Sequence, residues 1–146
     1  MMKLDLLIYG EKLKIKILDG KSMVWDIIRS KWVVLTPEEM VRMCFVQYLI
    51  HDRKISRNKI AVEREIQVGE KKKRFDLLVY NDHTFPFIAV ECKSPDIVLD
   101  EKVISQLVRY NQVLDCTYLW IVNGVEGRIF KKEDNEYWNE VKSMPI

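Results

Sequence analysis

The chain has 146 residues, of which 48% are hydrophobic and 32% charged, with a formal charge of +2. That length and balance suit one globular domain with its own core and exclude a disordered, fibrous or polycationic chain. Affinity for nucleic acid would therefore depend on where the basic residues lie, not on their total.

From the N-terminus, MMKLDLLIYGEKLKIKIL is too charged and too short in apolar length for a secretion signal. In KLKIKIL (Lys12 to Leu18), Leu13, Ile15 and Ile17 alternate at strand period. YGEK before it is expected to turn a small hairpin with KLDLLIY. Residues 1–35 read as an N-terminal β extension packed on a core of residues 36–146, within a single domain overall.

LTPEEMVRMCFVQYLIHDR is the clearest helix. Thr36 caps it, Pro37 suits the first turn, and Glu39 stands three residues after the cap at capping-box spacing. Val41, Cys44, Phe45, Tyr48 and Leu49 form one apolar stripe. At about 100° per residue, Glu38 falls near that stripe and Glu39 well away from it.

KIAVEREIQV alternates as a strand, GEKKK turns, RFDLLVY is a second strand, NDHTFP turns, and FIAVECK is a third. SPDIVLD is a loop broken by Pro95 and Asp96. EKVISQLVRYNQVL is a helix with Val103, Leu107 and Leu114 inward; TYLWIVNG is a buried strand and GRIFKK a short one. Turns of roughly four to six residues make the first three strands an antiparallel meander. The strand after the second helix returns parallel to a neighbour by a crossover. The expected fold is α/β: a mixed sheet with helices on its faces.

The charges inside these strands raise the functional question. Asp76 opens the second strand, and Glu91 and Lys93 close the third on one face. In a hairpin, the start of one strand lies beside the end of the next, so these charges meet at one corner of the sheet. Two carboxylates there repel unless a cation sits between them. Oxygen ligands, with the Cys92 carbonyl as a third, suit a hard ion such as Mg²⁺, or Mn²⁺. Lys93 can hold a water for attack on phosphorus. The plainer reading is a surface salt bridge, on the order of 1 kcal/mol or less. Gln106 and Tyr110, four apart on the second helix, can reach the same corner, or can be a solvated amide and a core phenol. Glu38 can approach it from the first helix, or can simply favour the helix N-terminus; for Glu39 a capping box is the preferred reading.

Three cysteines (44, 92 and 116) form no CxxC pair and, with two histidines, no zinc pattern. They read as reduced thiols in a cytoplasmic protein. No run approaches the roughly 18 apolar residues of a membrane span.

Asp76, then Glu91-Cys92-Lys93, then Gln106-Leu107-Val108-Arg109-Tyr110 resembles the PD-(D/E)xK nuclease superfamily with the QxxxY helix of its RecB-like members. TPEEMVR, RFDLLVY, PFIAVECKSP, QLVRYN and YLWIVNG are similar to the N-terminal nuclease domain of type I restriction enzyme R (HsdR) subunits, from about Trp25 to Lys131. The resemblance implies a restriction-endonuclease-like αβββαβ core. It implies that Asp76 and Glu91 bind Mg²⁺, that Lys93 is catalytic, that Glu38 is the helix-borne acid, and that Gln106 and Tyr110 flank the site. Phe75 stands where the superfamily name has proline. R subunits also carry a long ATP-driven motor, but this chain has no GxxxxGK[ST] loop. Loading on DNA is then expected to fall to a separate motor or specificity protein, unless the chain acts alone.

The expected activity is Mg²⁺-dependent hydrolysis of DNA phosphodiesters, with Lys71, Lys72, Lys73, Arg74 and Arg109 holding the backbone. The alternative is a DNA-binding or interaction module on a nuclease fold, inactive without a partner. The residues do not separate DNA from RNA, endo- from exonuclease action, or one oligomeric state from another.

Overall fold

The alternating segments of the sequence pair into two sheets. The computed structural model describes residues 2–68, 70–111, 115–133 and 137–143, with the side chains at positions 64, 66, 68, 71, 73 and 110 outside that description. The elements in chain order are β1 (Met2–Lys3), β2 (Ile15–Leu18), β3 (Lys21–Asp26), β4 (Lys31–Val34), α1 (Pro37–His51), β5 (Ile60–Val68), β6 (Lys71–Tyr80), β7 (Pro86–Cys92), α2 (Glu101–Tyr110), β8 (Tyr118–Val122), β9 (Glu126–Glu133) and β10 (Tyr137–Val141).

The main sheet runs β1-β9-β8-β7-β6-β5, with β10 also on β9. β5, β6 and β7 form the antiparallel meander. The crossover through α2 sets β8 parallel to β7, Glu91 beside Ile121, because a strand reached through a helix returns in the same direction. The result is a mixed sheet in αβββαβ order with one helix on each face, the expected restriction-endonuclease-like arrangement.

Alternation along the strands divides the core in two. Leu77, Val79, Val90, Cys92, Trp120 and Val122 pack against Val41, Cys44, Phe45, Tyr48 and Leu49 of α1. Leu78, Ala89, Leu119 and Ile121 pack against Ile104 of α2, with Val103 and Leu107 at its margin. Leu114 lies outside the described residues. α1 is buried through every residue from Val41 to Leu49, including Arg42 and Gln47. Its second covering comes from the N-terminal segment: Leu4, Leu6, Tyr9 and Val24 join the same core.

The N-terminal hairpin does not form. Leu7–Lys12 is a 3₁₀ helix, and β1 pairs with the far edge of the main sheet, Met2 opposite Gly127. Leu4 and Leu6 donate their amides to Val125 and Gly124 carbonyls at 3.1 and 2.8 Å. Burying Leu4, Leu6 and Tyr9 against α1 outweighs local pairing. KLKIKIL does yield a strand, β2, but it pairs with β3 in a separate three-stranded sheet, β2-β3-β4. Lys71 to Lys73 are not in a turn: they begin β6 and pair with Val68, Gln67 and Ile66. β10 is an element for which the sequence reading gave no signal.

Candidate active site

α1 begins where the sequence says it should. The Thr36 hydroxyl accepts the Glu39 amide at 3.0 Å, and Pro37 occupies the first turn. That helix start, the end of β4 and the loop after β7 line a cleft of about 590 Å³, walled by Val34, Thr36, Pro37, Glu38, Glu39, Arg42, Glu63, Ser94 and Asp96.

Below it, β6 and β7 bring the backbones of the expected ligands together. Leu77 faces Val90 and Leu78 faces Ala89, so one further step of this register sets Asp76 opposite Glu91. The side chains then diverge. Val90 and Cys92 face α1, whereas Ala89 belongs to the core on the α2 side, so alternation within β7 turns Glu91 toward α2. Asp76 breaks the pattern. Phe75 packs on the α2 side and Leu77 on the α1 side, so the alternation slips between them. Across the ladder the slip meets Glu63, whose φ is 50°, a conformation uncommon for any residue but glycine.

The Asp76 carboxylate accordingly reaches toward α1. Its Oδ2 accepts the Cys92 amide at 2.7 Å, and its Oδ1 lies 3.3 Å from Arg42 Nη2. Arg42 is the hub. Its Nη1 reaches Glu39 Oε1 and Glu63 Oε1, each at 3.1 Å, and its Nη2 lies 3.9 Å from Glu38 Oε1. Arg29, from the β3–β4 turn, joins the cluster. It pairs with the fully buried Asp26 and bonds Glu63 Oε2 at 2.8 Å and Glu39 Oε1 at 3.2 Å. Arg74 adds a bond to Glu63 Oε2 at 3.0 Å.

These contacts set the titration of the cluster. Burial raises the Glu39 carboxyl above its ordinary range, against the opposing pull of Arg42 and Arg29. Burial acts on Glu63 too, but Arg42, Arg29 and Arg74 outweigh it and hold that carboxyl low. Burial, then Asp76, pushes the Cys92 thiol well up.

Each expected site residue therefore has a place. Asp76 is tied to Arg42 and to the Cys92 amide. Glu91 is buried and does not line the cleft, and Lys93 follows β7, its amide donating to Val122 at 2.8 Å. Glu38 is half exposed at the cleft rim. Gln106 and Arg109 are exposed on α2; Lys72 and Arg74 are exposed on β6. The side chains of Tyr110, Lys71 and Lys73 lie outside the described residues. Glu39 corrects the helical-wheel reading. Its amide completes half of a capping box, but its side chain is buried and turns to Arg42 and Arg29.

Sequence reasoning missed Arg42, Glu63, Arg29, Ser94 and Asp96. Only Arg42 left a trace, as a single charge within the apolar run VRMCFV. Asp76, Glu91 and the Cys92 carbonyl offer only oxygen donors, the type that a hard divalent ion takes. Among the described residues, however, no three His, Cys, Asp or Glu side chains group closely enough to hold one. An ion at Asp76 has to share it with Arg42 or displace Arg42 from it. No described helix is long and apolar enough to cross a membrane.

The family described as Type I restriction enzyme R protein N terminus (HSDR_N) matches residues 37–145, from the first residue of α1 through β10. No curated protein matches the chain. This chain belongs to the type I restriction enzyme R protein N-terminal family.

Proposed function

We propose that the chain is a metal-dependent nuclease that hydrolyses DNA phosphodiester bonds at the cleft lined by the start of α1, the end of β4 and the loop after β7. The observation that carries this reading is the bond that the Cys92 amide donates to Asp76 Oδ2 at 2.7 Å, which holds Asp76 beside the end of β7, in a chain of a nuclease-associated family. Asp76 and the Cys92 carbonyl, with Glu91 brought round from the α2 side, would hold Mg²⁺ or Mn²⁺. When bound, the ion would supply Lewis acidity and a water acidified enough to attack phosphorus.

The protein's own groups do the rest. The Cys92 amide fixes the Asp76 carboxylate through Oδ2, which leaves Oδ1 to exchange Arg42 for another cation. Lys93 orients the attacking water and offsets charge that builds on phosphorus. Glu38, at the rim, accepts a proton or completes the donor set. Gln106 and Tyr110 would approach from α2, which covers the other face of the sheet from α1. Arg74, Lys71, Lys72, Lys73 and Arg109 bind the DNA backbone without reading sequence. Incubation of plasmid and oligonucleotide DNA with Mg²⁺ or Mn²⁺ tests this. Cleavage is expected for the wild type and loss of at least about a hundredfold for Asp76→Ala, Glu91→Ala and Lys93→Ala. Intact DNA under all conditions, or full activity of Lys93→Ala, overturns it.

One observation favours a second reading, an interaction module that cleaves only beside a partner. Arg42 already pairs with Asp76, so that carboxylate has a cation beside it at rest without a metal ion. Calorimetric titration with Mg²⁺, with and without DNA, separates the two. Uptake by the chain alone supports the autonomous enzyme. DNA binding with no metal uptake supports the module.

A further inference from the structure

We propose that the outer face of the β2-β3-β4 sheet is a stacking platform for single-stranded DNA that leads into the cleft, an assignment that rests on the nuclease reading for its substrate. The face lies outside the matched family region, residues 37–145.

The register defines the face. Ile15, Val24 and Val33 stand opposite one another, and the last two pack into the core on the α1 side. The alternate positions therefore point outward. Trp25 pairs with Trp32, Lys16 pairs with Met23, and the Trp25 amide donates to the Lys14 carbonyl at 2.9 Å. Lys14 and Lys16 are exposed, as is Lys21 at the start of β3; Met23, Trp25 and Trp32 are half-buried, and none of the three packs into either core cluster. Among the described residues, β2, β3 and β4 put no carboxylate on this face: Asp19 is in the turn after β2, and Asp26 is buried on the other side against Arg29.

The charge of the molecule is concentrated here. Residues 12–34 hold six of the 24 Lys and Arg residues and two of the 22 Asp and Glu, so the segment is +4 and the remainder of the chain is −2. Arg29 and Asp26 neutralise each other internally, which leaves lysines to set the field of the surface. The two indoles meet edge to face, centroids 5.4 Å apart at 66°, and Lys16 Nζ lies 4.2 Å from the Trp32 centroid. A base-stacking ring thus sits beside a phosphate-seeking ammonium, the pairing that binds unpaired strands without sequence preference. A duplex hides its base faces and would use only the lysines. Val34 links the face to the site, since it pairs with Met23 and lines the cleft beside Glu38 and Arg42.

The test uses the full chain in EDTA, so that binding is read apart from cleavage. Tryptophan quenching and the anisotropy of a labelled oligothymidylate are compared with a blunt duplex of equal length. The single strand is expected to bind at least about tenfold tighter and to quench the emission. Trp25→Leu/Trp32→Leu should weaken single-strand binding about tenfold or more. Lys14→Glu/Lys16→Glu should weaken it similarly and flatten its salt dependence. Equal affinity for single strand and duplex overturns the proposal, as does unchanged binding by a folded tryptophan variant. If that variant does not fold, unchanged binding by the lysine variant overturns it. Concentration-dependent self-association abolished by the same substitutions would assign the face to a second copy and overturn it too. Asp76→Ala separates the two assignments. Retained single-strand binding without cleavage by any form of the protein sinks the nuclease reading alone. Cleavage by a wild type that shows no preference for single strands sinks the platform alone.

Discussion

Arg42 is 7% exposed and is shared by Glu39, Glu63, Asp76 and, at longer range, Glu38. Removing it leaves buried carboxylates without their cation, a change that costs far more than the pair contributes. Arg42→Met should therefore lower stability by about 3 kcal/mol in urea denaturation at neutral pH, a loss that a surface ion pair could not produce. The acids around it titrate with opposite signs. The folded pKa of Glu63 is depressed, so its contribution is complete above its unfolded pKa and is lost as pH falls through the folded value. Glu39 is raised, so its contribution is present below the unfolded pKa and is lost as pH rises through the folded one. Urea midpoints measured from about pH 3 to pH 7 should show a shallower acid decline in Glu63→Gln and a steeper one in Glu39→Gln. The sequence could not assign these two acids. A helical wheel gives the angle of Glu39 but not the arginine, ten residues earlier, that meets it.

Elements with strong periodicity or a local cap could be read from the letters; elements held by distant surfaces could not. α1 is set by Thr36, Pro37 and its apolar stripe, and its N-cap bond is present. Thr36→Ala should cost about 1 kcal/mol and, because Thr36 also lines the cleft, is best read by equilibrium denaturation rather than activity. The meander and the parallel return through α2 followed from turn lengths and alternation. The 3₁₀ helix at Leu7–Lys12 did not, because its residues match a hairpin as well as a helix and only the surface of α1 decides between them. The turn between β8 and β9 makes that dependence visible. Gly124 has φ +99°, and a Cβ there would lie 3.2 Å from Val41 Cγ2 and 3.3 Å from Leu7 Cδ2. Gly124→Ala should then destabilise the fold by about 1–2 kcal/mol, from left-handed backbone strain before any crowding.

Across the whole molecule, the site is assembled by contacts between remote segments. Arg29 reaches Glu63 and Arg42 reaches Asp76, each across 34 residues of chain. Periodicity predicts which faces are apolar, but it carries no information about which polar groups will share them, so the ion-pair cluster stayed hidden while the three-strand meander did not. The cluster also ties the N-terminal sheet to the cleft through Arg29, and Leu4, Leu6, Tyr9 and Val24 complete the core over α1. A chain begun at Thr36 should for that reason melt more than about 10 °C lower than the full chain, or lose its cooperative transition. The metal reading makes its own demand on the folded state. An ion that binds the native site and not the unfolded chain stabilises by mass action, about 2.7 kcal/mol at a hundred times its Kd. Mg²⁺ should accordingly raise the melting temperature of the wild type in a concentration-dependent way and leave that of Asp76→Ala unmoved. Arg42 competes for the same carboxylate oxygen, so added DNA, by drawing Arg42 toward phosphate, should shift the Mg²⁺ midpoint to lower concentration. A melting temperature indifferent to Mg²⁺ with and without DNA would return Asp76 to the role it has at rest, a structural partner of Arg42 and the Cys92 amide.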